Sequence, residues 1–149
     1  RAVADAGYTQ ATEVQARDTI VAYFNPAWQV THPTVNIFYE NTVKVDLDAV
    51  GSSFLRVQID FTDSVRQGID QIPLTACYGE VILQLFSKDG QGTRDSLTKL
   101  SYLRGLMAYQ DLPVSGGGEI RLDCPRPGRK QSRNGWTSQD LIVPFYFIQ

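Results

Sequence analysis

Leu55, Val57, Ile59 and Phe61 are apolar, and Arg56, Gln58, Asp60 and Thr62 alternate with them as polar residues. A period of two predicts a strand with one face on a core and the other on polar surroundings. Over residues 75–86 both faces become apolar, which predicts a central strand or one covered by a helix. The turn Lys88-Asp89-Gly90-Gln91-Gly92 then leads into an amphipathic helix opening at Thr93, with Asp95 near its positive end. Leu97, Leu100, Leu103 and Met107 form its apolar stripe, widened by Leu106, while Lys99 and Arg104 lie outside it.

Thr12 and Gln15 read as the capping box of an earlier helix. Its Ala16, Ile20, Tyr23 and Phe24 recur at helical spacing until Asn25-Pro26 ends the run. Residues 35–39 predict a short strand, and 40–53 a loop or short edge element broken by Gly51-Ser52-Ser53. Gln67-Gly68 and Ile72-Pro73 mark a connection, and Gly116-Gly117-Gly118 a flexible break. Two last strands follow, 119–124 and 136–148. Between them residues 125–135 read as a basic loop, too long for a tight hairpin. Pro144 has no amide hydrogen and marks the last strand as an edge, or bulged, at that point. The order α-β-β-β-α-β-β predicts an α+β domain, with two main helices packed on a mostly antiparallel sheet. Residues 1–11 read as a flexible N-terminal segment and 12–149 as one domain.

Composition narrows the classes. The 149 residues are 42% hydrophobic and 20% charged, the balance of an ordinary globular chain. A net charge of -2 speaks against general nucleic-acid or membrane-surface binding and leaves room for a local basic patch. No apolar run reaches membrane-spanning length and no signal-peptide core is present, so a soluble protein made inside the cell is expected. Cys77 and Cys124 both sit in apolar strand patterns, which predicts two buried thiols, with a disulfide as the other reading.

Candidate chemistry is sparse. His32, the only histidine, precedes a proline in a loop pattern and reads as a surface or hydrogen-bonding residue rather than a general base. Gly51-Ser52-Ser53 lacks the second glycine of a nucleophile elbow, and 88–93 lacks the lysine and spacing of a phosphate loop. Asp46 and Asp48 are an acid–base pair, a metal site or a solvated loop, the last being preferred. No catalytic, metal or cofactor site is expected, and the protein is not expected to be an enzyme. Arg126, Arg129, Lys130 and Arg133 concentrate positive charge that suits phosphates or an acidic protein neighbour. Stacking aromatics are absent until Trp136, which argues against sequence-specific reading of bases.

The segment Tyr78-Gly79-Glu80-Val81-Ile82-Leu83-Gln84-Leu85-Phe86-Ser87-Lys88-Asp89-Gly90-Gln91-Gly92-Thr93-Arg94 resembles the central strand and glycine turn of tail-terminator-like proteins of tailed bacteriophages. The opening helix, the strand 54–59, and the close Gly135-Trp136 to Val143-Pro144-Phe145-Tyr146-Phe147 agree with it in order, so that the resemblance runs over residues 12–148. Residues 1–11 and 46–51 match nothing in it. The resemblance implies a structural virion protein without catalytic residues or cofactors. It would form a ring, usually a hexamer, that caps the tail tube, ends tube growth and offers the surface for head joining. Partners would be further copies of itself, the tail tube protein and a head–tail neck protein, with DNA passing through the lumen unread. The location would be the head-proximal end of the virion tail. A neck or tube protein of the same virion is the alternative, and a nucleic-acid-binding module using 125–135 a lesser one. Pro144 and the run Phe145, Tyr146 and Phe147 mark a candidate subunit-contact edge, and Arg126, Arg129, Lys130 and Arg133 a candidate interaction loop.

Overall fold

A computed structural model of the chain describes residues 12–39, 51, 53–67, 74–90, 94–114 and 117–148. The expectations for 1–11, for Asp46 and Asp48 within 40–50, for the 68–73 connection and for a helix opening at Thr93 lie outside these residues.

Thr12 caps the first helix, α1 (Glu13–Thr31), as its spacing predicts. The Gln15 amide donates to the Thr12 hydroxyl at 3.2 Å and the Thr12 amide to the Gln15 side chain at 2.9 Å, so two otherwise orphaned donors are satisfied. Pro26 does not end the helix, contrary to expectation. An interior proline removes a hydrogen bond and costs about 3 kcal/mol, but two residues further on Trp28 is fully buried and stacks on Phe24. Its indole N–H donates to the Val35 carbonyl at 3.2 Å. That burial outweighs the local penalty.

Seven strands follow: β1 (Asn36–Tyr39), β2 (Ser53–Gln67), β3 (Leu74–Lys88), then after helix α2 (Arg94–Met107) β4 (Asp111–Pro113), β5 (Glu119–Leu122), β6 (Arg126–Arg133) and β7 (Trp136–Ile148). The sheet order is β1-β2-β3-β7-β5-β4, with β6 also on β7. This corrects the expected fold class. The protein is not an α+β domain on a five-strand sheet, because more than half of the described residues are strand and the curled, mixed sheet has seven strands. The expected mostly antiparallel pairing does hold, with β1–β2 the one parallel pair among the described residues. The expected elements occur in the expected order, but β1 runs parallel to β2, and β4 and β6 are additional. Three-residue β4 is too short to leave an alternation signal, and β6 was hidden by its charges.

Both helices cover one face of the sheet. There Leu55, Val57 and Ile59 of β2, Val81, Leu83 and Leu85 of β3 and Leu141, Val143, Phe145 and Phe147 of β7 join Ala16, Ile20, Phe24 and Trp28 of α1 and Leu103 and Met107 of α2. Two tyrosines tie the helices together. Tyr23 donates to the Leu106 carbonyl at 2.7 Å and Tyr102 to the Ala27 carbonyl at 3.1 Å. The stripe of α2 is rotated from expectation: Lys99 is only 8% exposed and paired with Asp95, whereas Leu97 is 52% exposed. Cys77 is buried as expected, but Cys124 is exposed just past the end of β5, and the two remain separate thiols.

Candidate assembly surface

The stretch expected to be a basic loop is a strand and a tight turn. Asn134 and Gly135 have φ of 52° and 79° between the paired residues Arg133 and Trp136. Positive φ at both central residues is the geometry of a two-residue hairpin whose twist matches its strands, and Asn-Gly is its commonest sequence. That signal was present in the chain. The charge and prolines of 125–135 mask it, because they outnumber the two residues that carry the turn. A Cβ at Gly135 would meet nothing within 4 Å, so only the backbone opposes a side chain there. Gly135→Ala is expected to lower stability by about 1–2 kcal/mol, read as a lower urea midpoint with unchanged slope. An unchanged midpoint would show that the turn relaxes freely.

The β6 register distributes the four cations unequally. Arg126 reaches across β7 to Glu80 on β3, Nη2 to Oε1, at 3.0 Å. Arg129 sits in the irregular stretch between Pro127 and Lys130 and faces Asp140 electrostatically. Burial raises the Asp140 carboxyl above its ordinary range, an effect partly opposed by the Gln84 amide at 3.5 Å and by Arg129. Gly128 permits this bulge, because a Cβ there would come within 2.8 Å of the Asp140 side chain. Lys130 and Arg133 have no acidic partner among the described residues. Arg126 is therefore paired with a carboxylate of the same sheet and Arg129 lies near a second, which weakens the reading of this segment as a phosphate-binding loop.

Every residue of β6 is exposed, and it pairs on one side only, with β7. Its irregular stretch, Pro127 and charges are the usual features that keep such an edge from adding foreign strands. The candidate edge at Phe145, Tyr146 and Phe147 does not hold. β7 is internal, with β3 on one side and β6 followed by β5 on the other, and Phe145 and Phe147 are buried. Pro144 is accommodated at a seam. β6 pairing ends at Ile142, β5 pairing begins at Phe145, and the Pro144 carbonyl accepts from the Asp123 amide at 2.8 Å. Its missing N–H points toward that seam, where no ladder bond is required.

What the rotation of α2 creates is a groove of about 450 Å³ between α2 and β6. Leu97, Leu100, Pro127 and Leu141 line it, with Arg104 and Lys130 among its cations. The signal in the sequence was Leu97, one apolar residue more than the narrow buried stripe of α2 needs.

His32 closes α1, its amide donating to the Trp28 carbonyl at 2.7 Å. Its ring stacks on Trp28 with centroids 4.1 Å apart, and Nδ1 lies 2.9 Å from the Thr31 hydroxyl. Burial, then the Lys99 charge, lower its pKa, and Asp95 partly opposes them. The unfolded chain takes up this proton first. The contribution to stability is thus complete above the ordinary histidine value of about 6.5 and is lost as pH falls below it. His32→Gln is expected to flatten the decline in urea midpoint between about pH 7.5 and about pH 5. An equally steep decline in the variant would assign the dependence elsewhere.

No family model matches this chain, and no curated protein does. It is similar to a solved protein known by a serial label alone, at a TM-score of 0.73 and 13% identity, over 93% of this chain and 96% of that one. Two chains so different in sequence share the arrangement of strands and helices, and the likeness speaks for the fold alone.

Proposed function

We propose that this is a structural virion protein of the tail-terminator kind, whose copies form a ring that caps the tail tube, ends its growth and presents the surface for head joining. The observation that carries the reading is the course of the segment on which the resemblance rests. Residues 78–88 lie in β3, held between β2 and β7 over nearly its whole length, and the chain passes from its end through Asp89-Gly90 toward α2. A resemblance confined to a surface loop would weigh less, because loops vary freely on a common scaffold. The surface supports the reading too. Exposed cations gather on β6 and α2, whereas Asp111 and Glu119 on the β4 and β5 side are paired with Arg121 of the same chain. Such a basic surface suits an acidic neighbour, DNA in the lumen among them.

The test is deletion of the gene from the phage, with tails measured by electron microscopy. Tails of abnormal length that fail to join heads, restored by the supplied protein, are expected. Tails of normal length joined to heads would rule the reading out.

A further inference from the structure

Helix α1 has two apolar sides, and among the described residues only one of them is covered. Ala16, Ile20, Phe24 and Trp28 face the core. On the opposite side Val14, Asp18, Ala22, Pro26 and Val30 recur every four residues and all are exposed, Val14 at 69% and Val30 at 82%. Residues four apart form a ridge along a helix. A surface helix ordinarily turns its polar residues outward, and this ridge carries one charge among two valines, an alanine and a proline. Asp18 makes only a loose contact with adjacent Arg17 at 3.8 Å, and its side chain is 67% exposed.

The α2–β6 groove is complementary in both respects. Its lining offers Leu97 and Leu100 to an apolar ridge and, beyond the Arg129 that faces Asp140, Arg104 and Lys130 to a single carboxylate. We infer that the α1 ridge of one copy of this chain docks in the α2–β6 groove of the next, with Asp18 facing Arg104 and Lys130. Ridge and groove are different patches, so the contact is head-to-tail, and such contacts close into a ring when the rotation per copy allows. The inference deepens the ring reading above and rests on it. The occupant is a second copy because both halves of the match, apolar stripe and opposite charge, are on this one chain.

The test is sedimentation velocity of the full chain over a concentration series, with melting temperature as the control for folding. Asp18→Lys alone, and Arg104→Asp with Lys130→Asp, are expected to raise the concentration needed for assembly by at least about tenfold each, with little change in melting temperature because all three sites are on the surface. Combining the three reversals is expected to restore assembly. Charge variants that assemble like the wild type, a combination that fails to recover, or a wild type that stays monomeric even on tail tubes would each overturn the interface. So would groove variants that lose only an acidic partner protein while self-association persists. The two readings fail separately. Normal tail ending with assembly indifferent to the reversals removes this interface and leaves the ring reading standing. A ridge–groove contact confirmed in a phage whose tails are normal without the gene leaves the interface and removes the ring reading.

Discussion

Gly79→Val is expected to abolish folding, and Gly79→Ala to lower stability by about 3 kcal/mol. Gly79 lies in β3 opposite Phe61 of β2 and Phe145 of β7. A Cβ there would overlap the Asp60 carbonyl oxygen and the Cζ of Phe145, and would come within 2.9 Å of its Cε1. Neither neighbour can yield cheaply. The carbonyl belongs to β2 just before its register shift at Phe61 and Asp63, and moving it would disturb the hairpin ladder. The Phe145 ring is wedged against Phe61 at 5.8 Å and Phe147 at 6.5 Å between centroids, in a core without slack. A glycine inside a strand commonly marks such a close approach. Denaturant midpoints of Gly79→Ala, and of Gly79→Ala with Phe145→Leu, provide the check. The second change should recover part of the loss, since it removes the ring overlap and leaves the carbonyl one. A Gly79→Ala midpoint close to wild type would show that the strands give way and the packing account is wrong.

Trp28→Ala is expected to cost about 3–5 kcal/mol. The indole is fully buried, stacks on Phe24 at 6.1 Å and His32 at 4.1 Å, and satisfies the Val35 carbonyl. The loss should concentrate in the last turn of α1. Pro26 has already removed one rung there, so 27–31 are held by the core rather than by the helix itself. Hydrogen exchange is expected to show amides after Pro26 opening far more in Trp28→Ala than those near Ala16 and Ile20. Trp28→Phe separates the causes. It keeps most of the ring, leaves the Val35 carbonyl without its donor and should cost about 1–3 kcal/mol. Equal exchange along the whole helix in Trp28→Ala would mean that its second half does not depend on this anchor.

The two predictions meet the limits of reading this chain from opposite sides. The strand around Gly79 was legible because alternation in 55–61 and the apolar run in 75–86 report directly on burial. Nothing near Gly79 in sequence named Asp60 or Phe145 as what it must avoid. The helix past Pro26 was illegible for the converse reason. A proline is a strong local signal, and the burial of Trp28 that overrides it is a distant one. The candidate surface divides in the same way. The cations of β6 were visible, but that Arg126 is held by Glu80, 46 residues away, was not. Leu97 was visible as an apolar residue, but whether α2 would turn it inward or toward a groove depended on the sheet beneath.

By itself the sequence determined the elements whose causes lie within a few residues of each other. These are the Thr12–Gln15 cap, the alternating strands, the α2 segment and the Asn134-Gly135 turn that makes β6 and β7 a hairpin. Only the tertiary structure decided the parallel pairing of β1 with β2, the internal position of β7, the seam that accommodates Pro144 and the faces left exposed on α1 and α2. Caps, turns and periodicity act through bonds and neighbours along the chain, so they are written locally. Pairing partners and exposed faces follow from how all the apolar surfaces are covered at once, and no single stretch of sequence carries that condition.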